Sequence, residues 1–238
     1  MSQPEKFQPD RQRLVAGMKV HLASAWRSGI RIVGPSQSAS LRAAAAEQVE
    51  RETLEAVLAD LGACTRCGLC SNRKSIVFGQ GNPRARLVFV GQAPTQADDA
   101  TGEPFGGQEG DMLTKIITLV LSLSRPDVYL TSLVKCAPPD GRALAQEEIF
   151  TCMPFLRRQL AAIGPSIVCA LGQVAAQALL GSERPLDELR GRFHRMGGML
   201  VMPTHDPAFL RMNEHRKRET WDDMRMIVRE LSKTAKAV

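Results

Sequence analysis

Four of the six cysteines have the spacing of a soft-metal site. Cys64 and Cys67 form a C-x-x-C pair, Cys136 follows 69 positions later and Cys152 lies 16 beyond it. Four thiolates converging from a short pair and two later segments could hold an iron–sulfur cluster or a zinc ion. Structural zinc sites usually pair two short C-x-x-C hooks, whereas the second pair here is widely spaced. Cys169 sits in the apolar run Ser166–Gly172, of buried-strand length, where a free cysteine behaves as a small hydrophobe. Cys70 closes a second C-x-x-C with Cys67 and could trade places with Cys64.

The chain of 238 residues can form one large core, or one domain with an appendage, and its 44% hydrophobic content is ordinary for a globular protein. No apolar stretch approaches the roughly 18 residues of a membrane span, and Met1–Asp10 lacks the apolar core of a secretory signal. A cytoplasmic protein is therefore expected, its cysteines kept reduced for metal rather than oxidised to disulfides. A net charge of +6 points to a polyanionic partner, and basic residues cluster at Arg211, His215, Arg216, Lys217 and Arg218. A solvated helix face is the bland alternative for that cluster.

The elements that must position these residues follow from periodicity. Residues 1–50 read as a partly helical or disordered extension, with Pro35–Ser38 as a linker, ahead of a main domain over 51–238. Helices are expected over Arg51–Leu61, Asp111–Ser122, Glu147–Ile163, Gln173–Leu180 and about Thr220–Lys233. Strands are expected at Leu87–Val90, Val128–Val134, Ile167–Leu171 and Met199–Met202. Such alternation implies an α/β fold with a mostly parallel sheet, whose ligands bind beyond the carboxyl ends of the strands. The segments after Val90, Tyr129 and Met202 are thereby selected. The sequence has no internal repeat, no nucleotide-binding glycine fingerprint and no Ser/His/Asp arrangement.

From about Cys64 to Leu231 the chain carries an ordered series of motifs: Cys64-Thr65-Arg66-Cys67, Val77–Pro83, Thr101–Phe105 with Gly107, Val134–Pro139, Ala170-Leu171-Gly172, Arg190-Gly191 and Pro203-Thr204. In these it resembles the iron–sulfur, or family 4, uracil-DNA glycosylases. The resemblance implies the three-layer α/β/α sandwich of that superfamily and a [4Fe–4S] cluster held by Cys64, Cys67, Cys136 and Cys152, with Cys70 outside the ligand pattern. It also implies DNA, duplex or single-stranded, as the partner of a monomer.

Three departures fall on the chemistry the resemblance implies. Gln92, followed by the pocket residue Ala93, stands where the family has a glutamate that activates water, and loss of a general base typically costs on the order of 10²–10⁴ in rate. Ser132 stands where an asparagine reads the base edge, so one adaptable hydroxyl replaces an amide offering donor and acceptor together. Asp206 stands where a histidine donates to the departing base, with His205 displaced by one place, and an ionised carboxylate there would repel negative charge. Phe105 matches the ring that stacks on the flipped base. Asp98 and Asp99 are carboxylates that could stand in for the missing base, although surface capping is the plainer role. Leu210, with Phe209 and Arg211 beside it, corresponds to the loop that wedges into the duplex, and the basic residues Arg211, Arg216 and Lys217 would hold phosphates.

The expectation is thus a glycosylase hydrolysing the N-glycosidic bond of uracil or another deaminated base, with altered catalysis. The competing expectation is a non-catalytic iron–sulfur protein that keeps the fold and the DNA surface. An electron-transfer centre is a weaker third.

Overall fold

The computed structural model describes residues 52–235. The extension expected over 1–50, with its linker, lies outside the described residues. A six-stranded sheet forms from β1 (Gln80–Gly81), β2 (Leu87–Gly91), β3 (Tyr129–Ser132), β4 (Ile167–Leu171), β5 (His194–Met196) and β6 (Met199–Thr204), in the order β1-β3-β2-β4-β6-β5. β3, β2, β4 and β6 run parallel, while β1 and β5 close the edges antiparallel.

The parallel strands are apolar because both of their faces are covered. Leu87 and Phe89 pack with Leu130, Ile167, Cys169 and Met202 beneath α3 (Gly107–Lys115) and α8 (Lys217–Ala235). Val88 and Val90, pointing the other way, pack with Tyr129, Val168, Ala170 and Val201 beneath α4 (Gln146–Ile163) and α5 (Gln173–Leu180). Sheet between two helical layers is the expected α/β/α sandwich. α1 (Leu54–Leu61) lays Val57 and Leu61 against Phe155 of α4.

The differences from the expected elements have local causes. The apolar run after α3 leaves the α-helical path at Ile116–Val120, which winds as a single π-helical stretch. The edge strands β1 and β5 span two and three residues, too short for an apolar alternation to show. Short helices α2 (Gln96–Thr101), α6 (Leu186–Leu189) and α7 (Pro207–Met212) carry too few residues for a helical period. α8 begins three residues earlier than expected, directly after a 3₁₀ turn at Glu214–Arg216.

Asp98 closes the capping box of α2 with Thr95, but neither Asp98 nor Asp99 lies at the surface. Both are 2% exposed and both carboxylates are spent on backbone amides. Asp98 accepts from Thr95 N at 2.8 Å and Gly106 N at 2.6 Å, tying α2 to the loop that carries Phe105. Asp99 accepts from Lys74 N at 2.9 Å and Ser75 N at 3.1 Å, tying α2 to the segment after the C-x-x-C pair. Neither is available to move a proton. Asp99→Ala strands two amides and is expected to cost about 1–3 kcal/mol of stability, seen as a lower urea midpoint at an unchanged slope.

Candidate functional site

The site is built at the carboxyl ends of β2 and β3. Gly91 and Ser132 are partners in the parallel ladder, and Gly91 O accepts from Leu133 N at 2.9 Å. Glycine is required at 91 because a Cβ there would lie 2.7 Å from Cζ of Phe105 and 3.7 Å from Oγ of Ser132. The Phe105 ring therefore rests on the strand end beside the buried Ser132 hydroxyl.

Phe105 is held in a conformation a bulky residue rarely adopts, with φ at 54°. Its surroundings over-determine it. Arg125 donates from Nη1 to Phe105 O at 3.3 Å and from Nη2 to Pro104 O at 2.9 Å, and Asp98 holds the next amide. A Cβ on Gly110 would fall 1.6 Å from Phe105 O, so the first turn of α3 also needs glycine.

Beside this platform opens a cleft of about 510 Å³, lined by Gln92, Gly172, His205, Asp206, Phe209 and Arg216 among others. Gln92 comes from the end of β2 and Asp206 from the end of β6, so the positions of the first and third departures share one cavity. Asp206 caps α7, accepting from Ala208 N at 2.8 Å, and packs on Gly172, whose φ of +87° and missing Cβ leave it room. Burial raises the Asp206 carboxyl above the usual carboxylate range, partly offset by the Ala208 and Phe209 amides. Glu109 on α3 is raised too, by burial first and then by the charges of Asp206 and Asp98, against Arg211. Glu109 was not picked out in the sequence, where it reads as an ordinary polar position in a first turn.

His205 is 3% exposed and committed elsewhere: Nε2 meets Oε2 of Glu219 at 2.9 Å, and its ring stacks on Phe209 with centroids 5.0 Å apart. Glu219 also takes Arg190 at 3.1 Å and Arg216 at 3.2 Å. Asp187, His205 and Glu219 bring ligand atoms within 4.8 Å of one another. Arg216 pairs with both acids and Arg190 with Glu219, so the group reads as an ion-pair network holding the loop before α7 rather than as a metal site.

The basic cluster is largely engaged. Arg216 pairs with Asp187, Lys217 with Glu214 at 2.5 Å, and Arg211 donates to Gln108. These contacts are at or near the surface and cheap to exchange for phosphate. Within the segment expected to wedge, Leu210 is 1% exposed and lies on the buried side of α7. Phe209 at 41% and Met212 at 87% are the exposed apolar side chains of that helix, because its inward face belongs to Leu210.

Cys64, Cys67, Cys136 and Cys152 line a second cavity with Leu69, Val134, Arg73 and Lys135 among its other walls. They arrive from the end of α1, the start of a 3₁₀ turn at Gly68–Ser71, the loop after β3 and the first half of α4. Cys70 does not line it, and Cys169 is buried in β4, its thiol pushed well up by burial. Ala93, adjacent to Gln92, packs on this cluster and so sits between the two cavities. A tetrahedral zinc with 2.3 Å bonds needs sulfurs about 3.8 Å apart. Four thiols lining one cavity are the donor set of either a zinc ion or an iron–sulfur core.

Burial raises the Cys136 and Cys152 thiols, with Arg73 opposing it at Cys136 and Lys135 at Cys152. Lys135 is itself 1% exposed, and burial brings its amine down to about 7. Arg73 and Lys135 were missed in the sequence because neither stands at a ligand spacing; adjacency of Lys135 to Cys136 was the one available signal.

A family model described as the uracil DNA glycosylase superfamily matches residues 78–225. The type-4 uracil-DNA glycosylase of Saccharolobus solfataricus is 34% identical over 76% of this chain and 88% of its own length. That of Thermotoga maritima is 37% identical over 70% of this chain and 88% of its own. A type-5 uracil-DNA glycosylase of Pyrobaculum aerophilum is 35% identical over 57% of this chain and 67% of its own.

The two cysteine classes separate experimentally. Serine at 64, 67, 136 or 152 is expected to strip most bound metal from the purified protein, whereas Cys70→Ser and Cys169→Ser keep it, as read by metal content per chain.

Proposed function

Because the chain belongs to the uracil DNA glycosylase superfamily, we propose that it hydrolyses the N-glycosidic bond of uracil, or another deaminated base, in DNA, with its catalytic carboxylate at Asp206 rather than at position 92. The observation that carries this reading is the sharing of one cleft by Asp206 and Gln92, next to the Phe105 platform.

The flipped base stacks on Phe105, with the Ser132 hydroxyl at its edge and Ala93 beside it. Water attacks the anomeric carbon, forming a carbon–oxygen bond as the carbon–nitrogen bond breaks and its electron pair leaves with the base. Asp206, ionised, takes the proton from that water. Gln92, an amide, cannot take a proton, but its NH₂ group donates to the base as negative charge builds there. A buried carboxylate with a raised pKa suits a base better than an ordinary one, because basicity rises with it. His205, held by Glu219, positions the loop rather than replacing the missing donor.

The four-thiol cavity fits a [4Fe–4S] cluster by donor type, and the family the chain belongs to favours that core over zinc. Such a cluster would supply a four-point tie between the segment after α1, the loop after β3 and α4. Arg211, Arg216 and Lys217 exchange their surface partners for phosphates, and Met212 with Phe209 takes the wedge role expected of Leu210. Among the described residues no helix is long and apolar enough to cross a membrane. A monomer at work on duplex or single-stranded DNA in the cytoplasm completes the reading.

The test is single-turnover excision from uracil-containing oligonucleotides across pH. Asp206 must be ionised, so the rate falls as pH drops through a pKa above the usual carboxylate range. Asp206→Asn is expected to lose on the order of 10²–10⁴ in rate along with that limb. An Asp206→Asn protein with the wild-type rate and profile would contradict the assignment.

A further inference from the structure

Burying an ammonium ion costs several kcal/mol unless an anion faces it. Lys135 is 1% exposed, and its Nζ donates to Thr131 Oγ1 and to Ser132 O, both at 2.7 Å. Both are neutral acceptors. The side chain lines the four-thiol cavity, where the Cys152 thiol opposes the downward push of burial on its amine.

A second cation lines the same cavity. Arg73 donates from Nη1 to Cys64 O at 2.6 Å and to Cys136 Sγ at 3.4 Å, and from Nη2 to Ala63 O at 2.7 Å. Its guanidinium thus joins the two thiol-bearing segments while placing a fixed positive charge on one sulfur. Arg66 also reaches Cys64, but it stands at the surface with Asp60 as its partner, where solvent screens it.

Four thiolates around a cluster core in its resting state leave roughly two negative charges in the cavity. Arg73 and a Lys135 held protonated by the cluster's negative charge would match that number. Resting on the cluster reading above, we propose that Arg73 and Lys135 are the charge-balancing pair of the thiolate site, and that they set the reduction potential and oxidative durability of the cluster held there. Reduction adds a negative charge, which a neighbouring cation favours, so loss of either cation lowers the potential. Lower potential makes oxidation easier, and an over-oxidised core sheds iron. Both are positioning residues, since each acts through the thiol site that it lines.

The experiment compares the purified protein as isolated with Arg73→Met, Arg73→Lys and Lys135→Met. It reads iron and sulfide content, the midpoint potential by spectroelectrochemistry, and bleaching of the visible band under ferricyanide. Arg73→Met and Lys135→Met are expected to show more negative midpoints and faster bleaching per loaded cluster. Arg73→Lys, which keeps the charge and loses the fork, should stay near the wild-type midpoint. Arg73 is half-buried, so its Met variant reports even where Lys135→Met fails to fold. Loaded variants with unchanged midpoint and bleaching would overturn the pairing. Wild-type protein carrying zinc and no iron would instead overturn the cluster reading beneath it.

Discussion

The close approach of Phe105 to Gly91 is the contact on which the site depends. A side chain at 91 would occupy the space of the ring, so the end of β2 must be bare for the platform to exist. The platform in turn needs Phe105 at positive φ, Gly110 under its carbonyl, Arg125 on two successive carbonyls and Asp98 on the following amide. Strain of this kind costs on the order of 1–3 kcal/mol and persists only where the surroundings impose it. Here a parallel ladder between two fully buried strands supplies the rigid base.

That rigidity explains how the chemistry can change while the architecture stays. Gln92 and Asp206 leave the ends of different strands, β2 and β6, yet both face one cleft. In the proposed mechanism an amide on one wall and an acid on the other reverse the expected arrangement. Gly172 matters to this exchange, because its bare Cα lets Asp206 cap α7 and pack inward at once. Burial then raises the acid above its ordinary value, which is the direction a base at neutral pH needs.

Much of the fold was legible in the sequence because its strands are buried on both faces and therefore read as short apolar runs. Four of the six strands and the long helices fall where periodicity puts them, within a few residues. β1 and β5 were illegible because two or three edge residues carry no period, and α7 because its inward side is mainly Leu210. The thiol set converges as its spacing and the family resemblance suggested, leaving Cys70 outside. What spacing could not show was side-chain commitment: Asp98 and Asp99 consumed by backbone amides, His205 by Glu219, and Leu210 turned into the core. Lys135 was hidden for the opposite reason, since lysine is seldom fully buried and only its three-dimensional surroundings place it among the thiols.

The central claim is that the working carboxylate has moved from one wall of the cleft to the other. A double-mutant cycle of Gln92→Glu and Asp206→His, read by single-turnover uracil excision, addresses it directly. The account predicts that Asp206→His alone is nearly inactive, that Gln92→Glu alone is slowed by a second acid facing the first, and that the two together recover activity beyond the Asp206→His single. An Asp206→His protein as active as wild type, or a double variant no better than that single, would contradict it.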